Sequence, residues 1–167
     1  MTQLADRFDA LNRAVGNAVR WAALVMTLLQ FAIVLLRYVF GISNIALNES
    51  VLYLHASLFM LGAGYTLLVD AHVRVDIFYA KAGARRRALI DLFGHIALLL
   101  PAMLALLIWT WPSVRNSWAI LEGPISVGGI PASFLLKTLI PSFCVLLIIQ
   151  SLACLMRDLI RLRERSA

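Results

Sequence analysis

Four long apolar runs, approximately Ala22–Phe40, Val51–Val69, Leu89–Trp111 and Ala132–Met156, take up most of the 167 residues. A helix needs about 20 mostly apolar residues, at ~1.5 Å of rise each, to cross a hydrocarbon core ~30 Å thick. Each run meets that length to within a turn. The hydrophobic fraction is 62%, against roughly 45–50% in soluble domains, and a soluble core of this size could not hide so much apolar surface. The sequence therefore predicts an all-α integral membrane protein, a single membrane domain of four transmembrane helices over residues 22–40, 51–69, 89–111 and 132–156.

The charges give that bundle a direction. Sorted by the runs they flank, only Arg37, Arg115 and Lys137 of the fifteen basic residues fall on one side, and all the rest fall on the other. Short loops rich in Lys and Arg stay cytoplasmic, so both termini and the connector 70–87 are expected in the cytoplasm, with 112–131 as an irregular outer loop. This bias also explains the net charge of +6. The basic residues flank membrane spans and form no nucleic-acid-binding motif, which argues against a nucleic-acid partner.

Ahead of the first run, residues 1–20 are amphipathic. Leu4, Phe8, Leu11, Val15 and Val19 share one helical face, and Asp6, Arg7, Asp9, Asn12 and Arg13 take the rest. Two readings fit: a helix lying on the inner leaflet, or a docking helix for a partner. Asn48 is placed to cap the second helix, with Glu49 in its first turn. Arg37 lies one turn from the end of the first helix, at a depth similar to Glu49. A charge in hydrocarbon is costly and a partner at the same depth offsets it, so an Arg37–Glu49 ion pair is expected; the alternative is that Arg37 reaches the outer headgroups alone. Gly62 and Gly64 let a neighbouring helix approach closely. Beyond them Asp70, His72, Arg74 and Asp76 alternate with apolar residues, and Asp70–Arg74 and His72–Asp76 are the natural pairs.

Asp91 and His95 share a face of the third helix at i, i+4 spacing, either as a proton or ion relay or as an interhelix polar contact. Pro141 is expected to kink the fourth helix. Cys144 and Cys154 stand ~15 Å apart along that helix, beyond disulfide reach. His55 and His95 differ in depth by about 10 Å, so one haem iron could not bridge them. There is no Walker A loop, GxGxxG, HExxH or CxxC motif. No cofactor, metal site or catalytic group is expected, and the chain reads as a subunit and not an enzyme. Two other classes stay open: a stand-alone homo-oligomeric channel or exporter, and, with less support, a membrane electron-transfer subunit.

The ordered set Arg37-Tyr38-Val39-Phe40, Asn48-Glu49, Phe59-Met60-Leu61-Gly62-Ala63-Gly64-Tyr65 and His72-Val73-Arg74-Val75-Asp76 resembles the small, DctQ-type membrane subunit of TRAP (tripartite ATP-independent periplasmic) transporters, over about residues 20 to 157. Ser117-Trp118, Glu122-Gly123, Gly128-Gly129-Ile130-Pro131 and Lys137 resemble the mannitol/chloroaromatic subgroup, which includes 2-oxo acid and lactate systems. The family often has a Trp just before the second-helix Glu, and here Ala46-Leu47-Asn48 stands there instead. The resemblance implies a bacterial inner-membrane protein partnered by a large multi-helix subunit that carries the substrate and Na⁺ sites. It also implies a periplasmic binding protein that delivers an organic acid. On this view the small subunit braces the large one's scaffold and helps dock the binding protein. Arg37, Glu49, Gly62, Gly64, Asp70, His72, Arg74 and Asp76 would be structural or interface residues.

Overall fold

A computed structural model of the chain describes residues 2–72 and 83–164. Among them every regular element is helical: α1 (Thr2–Val39), α2 (Ile45–Leu68), α3 (Ala84–Phe93), a π-helical turn (Gly94–Leu99), α4 (Leu100–Ala119) and α5 (Ser133–Glu164). The π-turn joins α3 and α4 into one continuous span. Four helices are thus long and apolar enough to cross a membrane, Gln3–Val39, Ile45–Leu68, Leu89–Ala119 and Ser133–Ile160. The four expected spans are all present.

Their ends differ from the expectation in three places. The amphipathic segment is not a separate helix but the first half of α1, which runs unbroken for 38 residues, roughly 57 Å. It continues the line of the first span. At α2 the cap is Asn44, whose Oδ1 accepts from the Leu47 N–H at 3.2 Å. Asn48 lies inside the helix and donates to the Asn44 carbonyl at 2.8 Å. The earlier start moves Glu49 out of the first turn. At the third span the helix passes Pro112 and ends at Ala119. Proline removes one hydrogen bond from the helix interior, and the continuing turns carry Arg115, Asn116 and Ser117 beyond the apolar run. The connection to α5 is correspondingly shorter. α5 likewise continues through Pro141.

Two helices end on residues that adopt a left-handed backbone without being glycine. At the end of α2, Asp70 has φ 57°; the Ala71 N–H returns to the Thr66 carbonyl at 3.0 Å and the Asp70 N–H to Leu67 at 3.3 Å. At the end of α4, Leu121 has φ 45°, the Glu122 N–H returning to Ser117 at 3.0 Å and the Leu121 N–H to Trp118 at 3.2 Å. Both are Schellman closures, which satisfy carbonyls the helix end would orphan.

α5 is the central helix, packed against α1, α2 and α4. Its Cys144, Leu146, Leu147, Ala153 and Leu155 are buried, and 44% of its apolar window lies inside the bundle against 6% or less for the other three spans. α1 and α2 meet through two glycines. An added Cβ on Gly16 would fall 2.5 Å from the Tyr65 side chain, and one on Gly64 would fall 2.0 Å from Asn12 Oδ1. Gly62 faces open space. Of the two α2 glycines singled out in the sequence, Gly64 alone marks a close approach within the chain.

That difference is testable. Gly64→Ala must displace Asn12 and should destabilise the bundle by about 1–3 kcal/mol, the usual cost of overpacking. Gly62→Ala should leave thermal stability in detergent within about 0.5 kcal/mol of wild type. Equal effects from the two would contradict the packing described.

Candidate functional site: a clasped loop and an internal polar seam

Residues 120–132 join α4 to α5 at the bundle end opposite the chain termini, and three polar ties hold them. The first is Glu49 of α2, only 7% exposed. Its Oε1 accepts the Ser126 N–H at 3.0 Å and its Oε2 accepts the Ile130 N–H at 2.7 Å. One carboxylate thus gathers two loop amides, and hydrogen bonds to an ionised group are roughly twice as strong as neutral ones. Gly129 lies flat against it: a Cβ there would come within 2.2 Å of both oxygens. Gly128 turns the chain with φ 84°, and the Gly129 N–H closes the turn on the Ser126 carbonyl at 2.9 Å.

The second tie centres on Glu122, which accepts from Lys137 Nζ on α5 and from Ser117 Oγ on α4. The Lys137 hydrogen bond, then that of Ser117, holds the Glu122 carboxyl below its ordinary value of 4.5. The third is Ser133 Oγ, donating to the Gly123 carbonyl at 2.5 Å. Beside them Trp118 Nε1 donates to Thr138 Oγ1 at 2.8 Å, and its ring meets Phe134 edge-on at 4.7 Å. The loop is therefore fixed to α2, α4 and α5 together. Its outward side is apolar, with Ile120, Leu121, Ile125 and Val127 exposed, Val127 at 93%.

The expected Arg37–Glu49 ion pair is not formed. Arg37 is exposed, and both Glu49 oxygens are occupied by loop amides. The carboxylate faces the loop and not α1. One helical turn further into α2, the buried Tyr53 hydroxyl has no hydrogen-bond partner.

A second group of polar residues runs inside the bundle toward the end that carries the termini. Asn12 Nδ2 donates to Gln150 Oε1 at 2.9 Å and to the Leu146 carbonyl at 3.5 Å. Gln150 Nε2 donates to Asp9 Oδ1 at 3.0 Å. Arg157 closes the seam by pairing with Asp9 and, at 3.5 Å, with Asp6. Asn12 and Gln150 are both 0% exposed. Asn12 Oδ1 has no hydrogen-bond donor and instead faces the Gly64 Cα. On the other side of α5, Ser151 Oγ lies 3.0 Å from Nδ1 of the buried His95. His95 belongs to the π-turn, and through Ser151 it makes an interhelix polar contact.

Of the residues singled out in the sequence, Asp70 ends α2 and His72 lies exposed just beyond it. Arg74 and Asp76 fall outside the described residues, and so do the Asp70–Arg74 and His72–Asp76 pairings. Sequence reasoning missed the seam residues Asp9, Asn12, Gln150, Ser151 and Arg157, and the loop ties of Ser117, Glu122 and Lys137. The signal for the seam was Gln150-Ser151 inside an otherwise apolar run, since polar side chains there need partners. Among the described residues, no three His, Cys, Asp or Glu side chains converge as metal ligands.

The family model described as "Tripartite ATP-independent periplasmic transporters, DctQ component" matches residues 26–161. The chain belongs to the DctQ family. It is a multi-pass membrane protein and a small permease component of a tripartite transporter. No curated protein and no solved structure gives a significant match. Every tie to the 120–132 loop lies within the matched part of this DctQ chain, whereas Asp6, Asp9 and Asn12 lie ahead of it.

Two predictions follow from the clasp. Glu49→Ala removes the shared acceptor of two part-buried loop amides, at about 1–3 kcal/mol in all. Thermal unfolding in detergent should fall by several degrees, and protease sensitivity should rise at 120–132. Gly129→Ala should act in the same direction, and an unchanged digestion pattern in both would contradict the clasp. For Glu122 the folded-state pKa lies below the unfolded one, so its tie contributes above the ordinary carboxylate value and is lost as pH falls through the lowered folded-state value. Between pH 7 and pH 3, wild type should lose more thermal stability than Glu122→Gln, and parallel curves would contradict the assignment.

Proposed function

We propose that this DctQ subunit braces the stationary scaffold of a large multi-helix permease subunit. With a periplasmic binding protein, the complex takes up an organic acid of the 2-oxo acid or lactate class on a Na⁺ gradient. The observation that carries the bracing role is the use made of the internal polar groups. Glu49, Glu122, Asn12, Gln150, Asp9 and Arg157 are engaged in tying helix to helix or helix to loop. Polar side chains in a membrane bundle ordinarily serve either as transport ligands or as ties between helices, and these serve as ties.

The outer surface supports the same reading. Three of the four spans bury 6% or less of their apolar window inside the bundle, which leaves a brace apolar surface to share with a second bundle. The basic residues around the termini favour a cytoplasmic placement of both ends. The clasped loop then lies on the periplasmic side, where its apolar outer face is offered to the binding protein.

Reconstitution tests this. The chain alone in liposomes should catalyse no uptake. Together with its large partner and the binding protein it should support uptake that collapses when the Na⁺ gradient is removed. If the chain purified from its native membrane as a stable homo-oligomer and conducted solute alone, the brace reading would fail and a channel would replace it. Orientation is tested separately. A fluorescent protein fused after Ala167 should fold and fluoresce, and alkaline phosphatase inserted at 123–128 should be active; the reverse pattern would invert the topology.

A further inference from the structure

A cavity of about 680 Å³ opens between α1, α2 and α5 near the end of the bundle that carries the termini. Its walls differ in chemistry. Thr66 and His72 line it where α2 ends, Asn17 and Arg20 line its α1 side, and Leu58, Phe59, Phe143 and Leu147 supply its apolar lining from α2 and α5. Along α2 the distance from Thr66 to Leu58 is roughly 12 Å. Gly62 forms part of its wall, and an added Cβ there would meet nothing within 4 Å, so that stretch of the wall faces open space. Behind it, the seating of Tyr65 against Gly16 brings α1 and α2 together.

The mouth carries positive charge. The Arg20 guanidinium lies 5.8 Å from the centroid of the Trp21 ring, an aromatic residue of the type that settles at the membrane–water boundary. Among the described residues no carboxylate pairs with Arg20. His72 adds a ring N–H and Asn17 an amide. An exposed guanidinium with neighbouring hydrogen-bond donors, beside a tryptophan of the boundary type, matches a phosphate. An apolar trough running from there toward the bilayer centre matches an acyl chain. A partner's transmembrane helix would bring the apolar surface but no anion for the mouth. Basic pockets between helices at the cytoplasmic face are a recurrent form of anionic-lipid site.

We propose that this trough binds one anionic glycerophospholipid, its phosphate held by Arg20 with Asn17 and His72, and one acyl chain lying over Gly62 against Leu58, Phe143 and Leu147. The site would place a lipid as a wedge between α1 and α2 on a face the two helices do not close by themselves.

The test uses the chain purified with its large partner in mild detergent, followed by native mass spectrometry and analysis of the retained lipid. Wild type should retain about one lipid per copy, enriched in anionic headgroups relative to the source membrane. Arg20→Gln should lower retention at least tenfold, and Arg20→Lys should recover part of it. Gly62→Leu, which fills the trough and leaves the charge intact, should also abolish retention. Co-elution with the large partner serves as the check that each variant is folded. Retention of zwitterionic lipid in proportion to the membrane, or undiminished retention in both Arg20→Gln and Gly62→Leu, would overturn the proposal. So would a disulfide cross-link from Gly62→Cys to a helix of the large subunit. Finally, lipid-stripped complex should gain thermal stability from phosphatidylglycerol and not from inorganic phosphate; equal gains would reduce the site to a simple anion site and overturn the lipid assignment.

Discussion

The bilayer offers no water to a polar group, and most of this structure follows from how α5 meets that constraint. Apolar side chains give little drive for helices to associate in lipid, where association depends on close packing and interhelix hydrogen bonds. α5 supplies such groups at both of its ends. Toward the termini, Gln150, Ser151 and Arg157 reach α1 and the π-turn. Toward the loop, Lys137 and Thr138 reach Glu122 and Trp118. Between these levels α5 buries Cys144, Leu146 and Leu147. A helix tied at two levels about 20 Å apart resists both tilting and sliding, which a single central contact would not.

Asn12 shows how packing and polarity depend on each other. Its amide nitrogen needs Gln150, and to reach it the side chain must lie flat between α1, α2 and α5. That is sterically possible only because Gly64 has no Cβ. The Asn12 carbonyl oxygen then rests against the Gly64 Cα, where a Cα–H···O contact gives partial compensation for a missing donor. Three helices meet at one side chain. The cost of leaving that oxygen without a full hydrogen bond, of the order of 1 kcal/mol or more, is tolerated because the alternative is to separate all three.

The four spans, their order and the family were legible in the sequence, because hydrophobic length and the ordered motif set from Arg37 to Asp76 carry that information directly. The partners of the key polar residues were not. Glu49 was read as the partner of Arg37, but its partners are backbone amides of Ser126 and Ile130. A backbone amide leaves no residue-type signature at all; the adjacent Gly128-Gly129 was the one trace. Asp9 and Asn12 were read as the wet face of an amphipathic helix, a reasonable inference from periodicity alone. They belong to the buried side because Gln150 and Arg157 are waiting there, and periodicity within one helix cannot see the polarity of another. The third apolar run ends before Pro112, but its helix continues to Ala119, since one missing hydrogen bond does not by itself stop a helix.

The two non-glycine left-handed residues put the loop and the connector in different lights. A left-handed backbone costs an L-residue roughly 1–2 kcal/mol, less for Asp, whose short polar side chain is suited to it. Asp70 is therefore an ordinary helix stop. Leu121 is not, and its exposed side chain offers no burial in return. Its conformation persists because the neighbouring chain is over-determined: Glu122 is held by Lys137 and Ser117, Gly123 by Ser133, and the residues beyond by Glu49. Strain of this kind survives only where the surroundings leave one shape available. The loop thus presents Ile120, Ile125 and Val127 on a fixed frame. For a subunit proposed to hold still while its partner moves, a surface with one shape is the property that bracing and docking both require.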